Sequence, residues 1–127
     1  MANVSLVLYV IFFLGVRSQS QFCNENRIST LQQVIVVFRH GDRNPEGTFP
    51  NDIYQEKDWP LGWGELIPNG TLRHFEYGKW TRSCYNSFLN ETLSVKRVYV
   101  RSSDIDRTLM SAQAHLAGVY PPKAAQV

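Results

Sequence analysis

Residues 34–45 read VIVVFRHGDRNP, and this stretch decides the predicted fold. An apolar run typical of a buried strand leads directly into four ionisable residues, Arg39, His40, Asp42 and Arg43. Such groups are costly at the end of a buried strand unless a charged group meets them. Because open α/β sheets bind ligands beyond the carboxyl ends of their strands, the stretch predicts a strand followed by an anion-binding loop.

The sequence on either side alternates between predicted strands and predicted helices. The Val- and Ile-rich residues 31–38 predict a central strand covered on both faces, and residues 96–101, KRVYVR, predict a second strand. Helices are predicted over residues 71–90 and from Ser103 onward, and residues 39–70 predict a long irregular connection rich in Pro and Gly. This order predicts an α/β fold with a parallel sheet.

Each predicted helix has an apolar face that we expect to be buried. On the first helix, apolar side chains recur at three- and four-residue steps; they are Tyr77, Trp80, Cys84 and Phe88. On the second helix the buried face is expected to comprise Ile105, Leu109, Ala112 and Leu116. The sequence SDID at 103–106 has the form of a capping box, and Gly118 with the prolines at 121–122 is expected to end the helix.

Residues 1–20 predict a signal peptide. Residues 6–15 form an uncharged apolar run; a signal-peptide core spans roughly 7–15 apolar residues, whereas a membrane-spanning helix needs about 20. Cleavage is expected near Gln19 or Gln21, and an uncleaved anchor is the alternative. After cleavage we expect no membrane span, and the mature chain is predicted to be secreted or lysosomal.

Two sequons and two cysteines fit a secretory route. Asn69 and Asn90 each begin an Asn-X-Thr triplet and are candidate glycosylation sites. Cys23 and Cys84 are the only cysteines of the chain. In an oxidising compartment they either pair with each other or await partners elsewhere, and the sequence leaves both alternatives open.

The bulk composition describes a soluble domain or part of one. The chain has 127 residues, 43% of them hydrophobic, and a formal net charge of +2. Acidic and basic side chains alternate along it, so no basic arm is available to follow a phosphodiester backbone. We therefore expect no nucleic-acid partner.

Three arginines and one histidine are expected to converge at one edge of the sheet. Arg39 and Arg43 follow the first strand, and Arg101 follows the second. The planar guanidinium group matches the oxygens of a phosphate and keeps its charge, so a bound phosphoryl group would relieve the repulsion. His40, as a neutral imidazole, has the lone pair needed to attack phosphorus. The alternative makes His40 a turn residue bonded to backbone, with Asp42 pairing Arg43.

The stretch RHGDRNP at 39–45 resembles the signature of the histidine acid phosphatases, in the branch of the prostatic and lysosomal enzymes. The resemblance continues through WPLG at 59–62, VYVRSSD at 98–104 and DRTLMSA at 106–112. It implies a phosphoglycerate mutase-like sheet with flanking helices. It also implies phosphorylation of His40, phosphate binding by Arg39, Arg43 and Arg101, a phosphate monoester substrate, and neither a metal nor another cofactor.

The family uses a His-Asp pair late in a longer chain to protonate the leaving oxygen, and no His-Asp dipeptide occurs here. We therefore expect residues 21–127 to be the N-terminal part of a histidine acid phosphatase domain, and the full-length domain is a candidate homodimer. His115 is expected to be structural, while His74 is left open as a residue of the cleft. Two alternatives remain, a phytase or inositol-polyphosphate phosphatase and a noncatalytic secreted phosphate-binding protein.

Overall fold

The computed structural model describes residues 30–122 and the backbone of one strand nearer the N-terminus. Its strands are β1 (Ser5–Tyr9), β2 (Gln33–Val37) and β3 (Val98–Val100), and its helices are α1 (Pro68–Cys84) and α2 (Asp106–Val119). A single 3₁₀ turn, Glu56–Asp58, interrupts the long connection between β2 and α1. The α/β class predicted from the sequence is confirmed.

The three strands form one parallel sheet in the order β2-β1-β3. β1 therefore lies between the two strands that the sequence predicted, and β2, which we expected to be central, is at an edge. Ser5–Tyr9 falls inside the predicted signal peptide. The expected cleavage positions, Gln19 and Gln21, lie outside the described residues, and removal of the segment stays a prediction.

Both helices pack on one face of the sheet. Val34, Val36 and Phe38 point toward them and are buried, whereas Ile35 and Val37 on the opposite face are 58% and 47% exposed. The expectation that this strand is covered on both faces is wrong for the described part of the chain, because its alternate residues face away from α1 and α2. The helices thus place the core, and the loop after β2, on a single side of the sheet.

Helix α1 begins three residues earlier and ends six residues earlier than predicted. Pro68 occupies its first turn, where the missing N–H of proline leaves no hydrogen bond unmade. The predicted stripe of large apolar residues is not the most buried face. The buried residues of α1 are mostly small or polar, namely Gly70, His74, Gly78, Thr81 and Cys84.

The small residues of α1 reflect a close contact between the two helices. A methyl group added to Gly78 would collide with the backbone carbonyl of His115, and one added to Gly118 would collide with that of Phe75. Only glycine permits this approach of helix backbones. The periodicity of large side chains could not reveal this contact, because it is made by glycines, which have no side chain.

Helix α2 begins at Asp106 with Ile105 as its N-cap, and no side chain caps it. The predicted capping box at 103–106 is wrong, because the N-cap is Ile105 and not Ser103. The hydroxyl of Ser103 lies 3.0 Å from Oγ1 of Thr108 and caps no backbone N–H of the helix. Ile105 and Leu109 are exposed, which corrects their expected burial. The buried face is Thr108, Ser111, Ala112, Ala114, His115, Gly118 and Val119, and Leu116 is partly buried.

The structure also bears on the pairing of Cys84 and on the expected absence of a membrane span. Cys84 is buried and forms a disulfide bond, while Cys23, the other cysteine of the chain, lies outside the described residues. Within residues 30–122, no helix has the length and apolar character needed to cross a membrane.

Candidate active site

The loop that follows β2 is wedged against the first turn of α1. A methyl group on Gly41 would collide with the carbonyl of Gly70, and one on Gly70 would collide with the backbone of Asp42. The N–H of Ile67, at the start of α1, donates a 3.0 Å hydrogen bond to the carbonyl of Asp42. The two glycines therefore allow the loop and the helix to approach to backbone contact.

Each helix also anchors this loop through one buried side chain. From α2, the hydroxyl of Ser111 accepts a 3.0 Å hydrogen bond from the N–H of Gly41 and donates one of 2.6 Å to the carbonyl of Arg107. From α1, the imidazole of His74 hydrogen-bonds to the backbone of Arg39. His40 thus lies between two anchored residues.

The ring of His40 has one nitrogen engaged by its own loop. Its Nδ1 lies 2.8 Å from the carbonyl oxygen of Gly41. Because a carbonyl oxygen only accepts hydrogen bonds, Nδ1 must carry the proton there. In the neutral imidazole this assigns the lone pair to Nε2.

The surroundings of His40 favour its neutral form. Partial burial lowers the pKa of His40 below its ordinary value, and the positive charges of Arg39, Arg107 and Arg43 lower it further. The hydrogen bond to Gly41 acts in the opposite direction and raises the pKa, but the net direction is downward. The ring therefore stays neutral to a lower pH than a free histidine.

An open cavity of about 500 Å³ lies over this loop. It is lined by Arg39, His40, Gly41, Asp42, Arg43, Pro45 and Trp59. The structure thus brings together three of the four residues that the sequence placed in a phosphate site. Asp42 pairs with the exposed Arg73 at 2.9 Å, so the alternative pairing of Asp42 with Arg43 does not occur.

Arg101, the fourth predicted residue, is not among the residues of 30–122 that line this cavity. It directly follows β3 and is exposed. β2 and β3 run parallel on opposite sides of β1, so their ends leave the same edge of the sheet. With about 5 Å between neighbouring strands, Arg101 begins about 10 Å from the end of β2, which lies three residues before His40.

The structure adds two residues that the sequence did not single out. Arg107 is near enough to lower the pKa of His40, and its Nη2 donates a 2.6 Å hydrogen bond to Oε1 of Glu46. The separation of 61 residues between these partners hides the contact from any local pattern. Arg107 lies in the DRTLMSA block that carries the resemblance, and this block was the only available signal.

The other two histidines lie beneath the loop and do not line the cavity. His74 packs against Phe38 with ring centroids 4.8 Å apart, and His115 packs against the same ring at 4.9 Å. Both are buried, which fits the structural role expected of His115. Among residues 30–122, no group of three or more metal-ligating side chains is placed to hold a metal ion.

The fold and the cavity together define an α/β protein whose strand-end loop presents an imidazole beside two guanidinium groups. A profile of the histidine phosphatase superfamily (branch 2) matches residues 30–127. The chain belongs to this superfamily.

Comparison with curated proteins agrees with the superfamily. Human (Homo sapiens) lysosomal acid phosphatase is 50% identical over 100 residues, which cover 79% of this chain and 24% of that protein. Prostatic acid phosphatase of Bos taurus is 48% identical over 101 residues, covering 80% and 26%. Lysosomal acid phosphatase of Bos taurus is 43% identical over 125 residues, covering 98% and 28%. The chain spans about a quarter of the length of these relatives.

Proposed function

We propose that this chain supplies the phosphate-binding loop and the nucleophile of an acid phosphatase, which hydrolyses phosphate monoesters through a phosphohistidine at His40. The observation that carries the proposal is the 2.8 Å contact between Nδ1 of His40 and the carbonyl of Gly41. It directs the proton to Nδ1 and leaves Nε2 as the nucleophile, in a cavity shared with Arg39 and Arg43.

In the first step, the lone pair of Nε2 forms a bond to phosphorus while the bond from phosphorus to the ester oxygen breaks. The leaving oxygen takes the bonding electrons and then a proton. In the second step, water attacks phosphorus, the P–N bond breaks, and inorganic phosphate and neutral His40 are regenerated. Splitting one hydrolysis into two displacements in this way lowers the barrier of each.

Arg39 and Arg43 supply the positive charge that the reaction needs. Guanidinium groups stabilise the negative charge on the non-bridging oxygens as the phosphoryl group is transferred. Their charges also contribute to the lowered pKa of His40, so the imidazole stays neutral to a lower pH than a free histidine does. Arg101, on the same edge of the sheet, is proposed to complete the phosphate contacts from the far side of β1.

The leaving oxygen must also be protonated. The family uses a His-Asp pair for this step, and residues 1–127 contain no His-Asp dipeptide. General acid catalysis is typically worth about 10²–10⁴-fold in rate. Because the relatives are about four times longer, we assign turnover to a complete phosphatase domain and the formation of phosphohistidine to this part of it. We also expect the wider phosphoglycerate mutase-like sheet to belong to that domain.

A secretory route is proposed for the protein. Residues 1–20 have the pattern of a signal peptide, and relatives named lysosomal and prostatic acid phosphatase match most of the chain. Of the two candidate glycosylation sites, Asn69 is exposed in the first turn of α1. The Oδ1 of Asn90 accepts a 3.1 Å hydrogen bond from Arg97. Asn69 is therefore the more accessible site.

The test is to trap the covalent intermediate with an aryl phosphate such as 2,4-dinitrophenyl phosphate, whose leaving group departs without a proton. The chain is expected to acquire an acid-labile, base-stable phosphoryl group, detected by ³¹P NMR and located at His40 by mass spectrometry. His40→Ala should abolish it. Arg97→Ala, which removes an exposed charge outside the cavity, should leave it unchanged.

The same experiment, combined with a measurement of phosphate binding, tests the alternative of a noncatalytic phosphate-binding protein. Binding of inorganic phosphate without any trapped adduct would favour a noncatalytic phosphate-binding protein. An adduct that persists in His40→Ala would contradict the assignment of the nucleophile.

A further inference from the structure

Glu46 joins two arginines that come from distant parts of the sequence. Its Oε1 accepts the 2.6 Å hydrogen bond from Nη2 of Arg107 and lies 3.4 Å from Nη2 of Arg43. The arginine side chains are 19% and 21% exposed, whereas that of Glu46 is 59% exposed. An exposed carboxylate is thus held in place by the more buried arginine, which α2 provides.

The guanidinium of Arg43 is directed by the protein on two of its three nitrogens. Nη1 donates a 2.7 Å hydrogen bond to the carbonyl of Asn44, and Nη2 faces Glu46. The remaining nitrogen, Nε, is buried and has no hydrogen-bond partner among the described residues. These two contacts fix the plane of the group, which lines the cavity beside His40.

We infer that Glu46 and Arg107 position the guanidinium of Arg43 toward the bound oxyanion. The inference rests on the proposed function, because it concerns the phosphate site of that function. Arg107 holds the carboxylate, and the carboxylate holds the plane of Arg43. Bidentate recognition of a phosphate depends on that plane, so the geometry of the bridge sets how well Arg43 binds.

A purely electrostatic role for the same pair gives different expectations. If Glu46 and Arg107 act only through their charges, removing the negative charge should tighten anion binding and removing the positive charge should weaken it. Substitutions that keep the charge should then change nothing. If the pair acts through geometry, charge-conserving substitutions are the ones that should weaken binding.

The experiment therefore uses Glu46→Asp and Arg107→Lys in the full chain, with binding of inorganic phosphate and tungstate measured by calorimetry. Each variant keeps its charge and loses the geometry of the bridge. We expect each variant to bind the anions roughly 3–10-fold more weakly than the wild type. The double variant should bind no more weakly than the weaker single variant, because both substitutions disrupt the same bridge to Arg43. Matched controls are Glu76→Asp, from an ion pair on the surface of α1, and the exposed Arg97→Lys, and both should bind as the wild type does.

The positioning role would be overturned if the charge-conserving variants bound the anions like the wild type while Glu46→Gln bound them more tightly and Arg107→Gln more weakly. That result would leave the proposed function intact. A wild-type chain that binds neither anion would instead refute the proposed function. In that case hydrogen exchange at Nε–H of Arg43, followed by NMR, decides the positioning role. Several-fold faster exchange in both variants supports it, and unchanged exchange overturns it.

Discussion

The N–H of Gly41 donates a 3.0 Å hydrogen bond to the hydroxyl of Ser111, although 70 residues separate the two. Ser111 has no exposed surface and in turn donates to the carbonyl of Arg107, one turn earlier in α2. One buried hydroxyl therefore connects the loop next to His40 with the helix turn that carries Arg107. The position of His40, the proposed nucleophile, therefore depends on how α2 packs.

Ser111→Ala should destabilise the loop and weaken anion binding together. The substitution leaves the N–H of Gly41 buried without an acceptor, which typically costs about 1–3 kcal/mol. Urea unfolding measures the loss of stability, and calorimetry with tungstate measures the loss of affinity. Ser83→Ala, at an exposed hydroxyl of α1, is the matched control and should change neither. Normal tungstate affinity in a destabilised Ser111→Ala would show that the loop keeps its geometry without this bond.

Arg39→Gln should raise the pKa of His40. The positive charge of Arg39 disfavours a second positive charge on the imidazole, so its removal makes protonation easier. An NMR titration of the Cε1 proton of His40 measures this directly, and Arg97→Gln serves as the control for loss of a distant charge.

The same change has a consequence for reactivity. Because only the neutral imidazole attacks phosphorus, a raised pKa moves the acid limb of phosphohistidine formation to higher pH. An unchanged acid limb, combined with a raised pKa, would mean that another group controls the reaction in acid.

His115→Phe should make the protein less sensitive to acid. Burial lowers the pKa of His115 from 6.5 to about 4, and neither ring nitrogen has a hydrogen-bond partner among the described residues. The unfolded chain binds this proton more readily, so the stabilisation is fully present above pH 6.5 and is lost as the pH falls through about 4.

The expected loss in the wild type is on the order of 3 kcal/mol across that range. Phenylalanine does not titrate and fits a cluster that already contains Phe38 and Tyr77. Urea unfolding at pH 4 and at pH 7 should show a smaller difference for the variant than for the wild type. An equal difference in the two proteins would assign the acid sensitivity to other groups.

Removal of residues 1–20 should weaken the sheet. The deletion takes away β1, which pairs with five residues of β2 and three of β3 and separates the two. A two-stranded arrangement is marginal in water, so the shortened chain should unfold at a lower urea concentration than the full chain. Deleting residues 123–127, which removes no described element, is the control. Equal midpoints would show that β1 contributes no stability.

The sequence was sufficient to predict the α/β class and the loop at 39–45, because both depend on local signals. An apolar run that ends in ionisable groups marks a strand end, and RHGDRNP is contiguous. The predicted helices were right in number but displaced at their ends. Pro68 started α1 earlier than the apolar pattern suggested, and α2 began at Asp106 without the expected side-chain cap.

The contacts between the two helices and the loop after β2, which the sequence did not predict, are non-local. Ser111 bonds to Gly41, 70 residues away, and Glu46 bonds to Arg107, 61 residues away. Sequence periodicity gives no information about contacts at such separations. The packing roles of Gly78 and Gly118 were also not predicted, because helix contact through glycine leaves no apolar stripe. Gly118 was expected only to end the second helix, but it lies inside α2. β2 lies at an edge because β1 lies between β2 and β3. This was not predicted, because the residues of β1 have the pattern of a signal peptide.

The proposed mechanism requires that Nε2 of His40 faces a bound oxyanion together with Arg39 and Arg43. The most direct measurement is a crystal structure of the chain soaked with tungstate or vanadate. We predict that the metal atom lies on the Nε2 side of the His40 ring, with both guanidinium groups donating hydrogen bonds to its oxygens. An oxyanion bound at Nδ1, or bound outside the cavity while this one stays empty, would contradict the account.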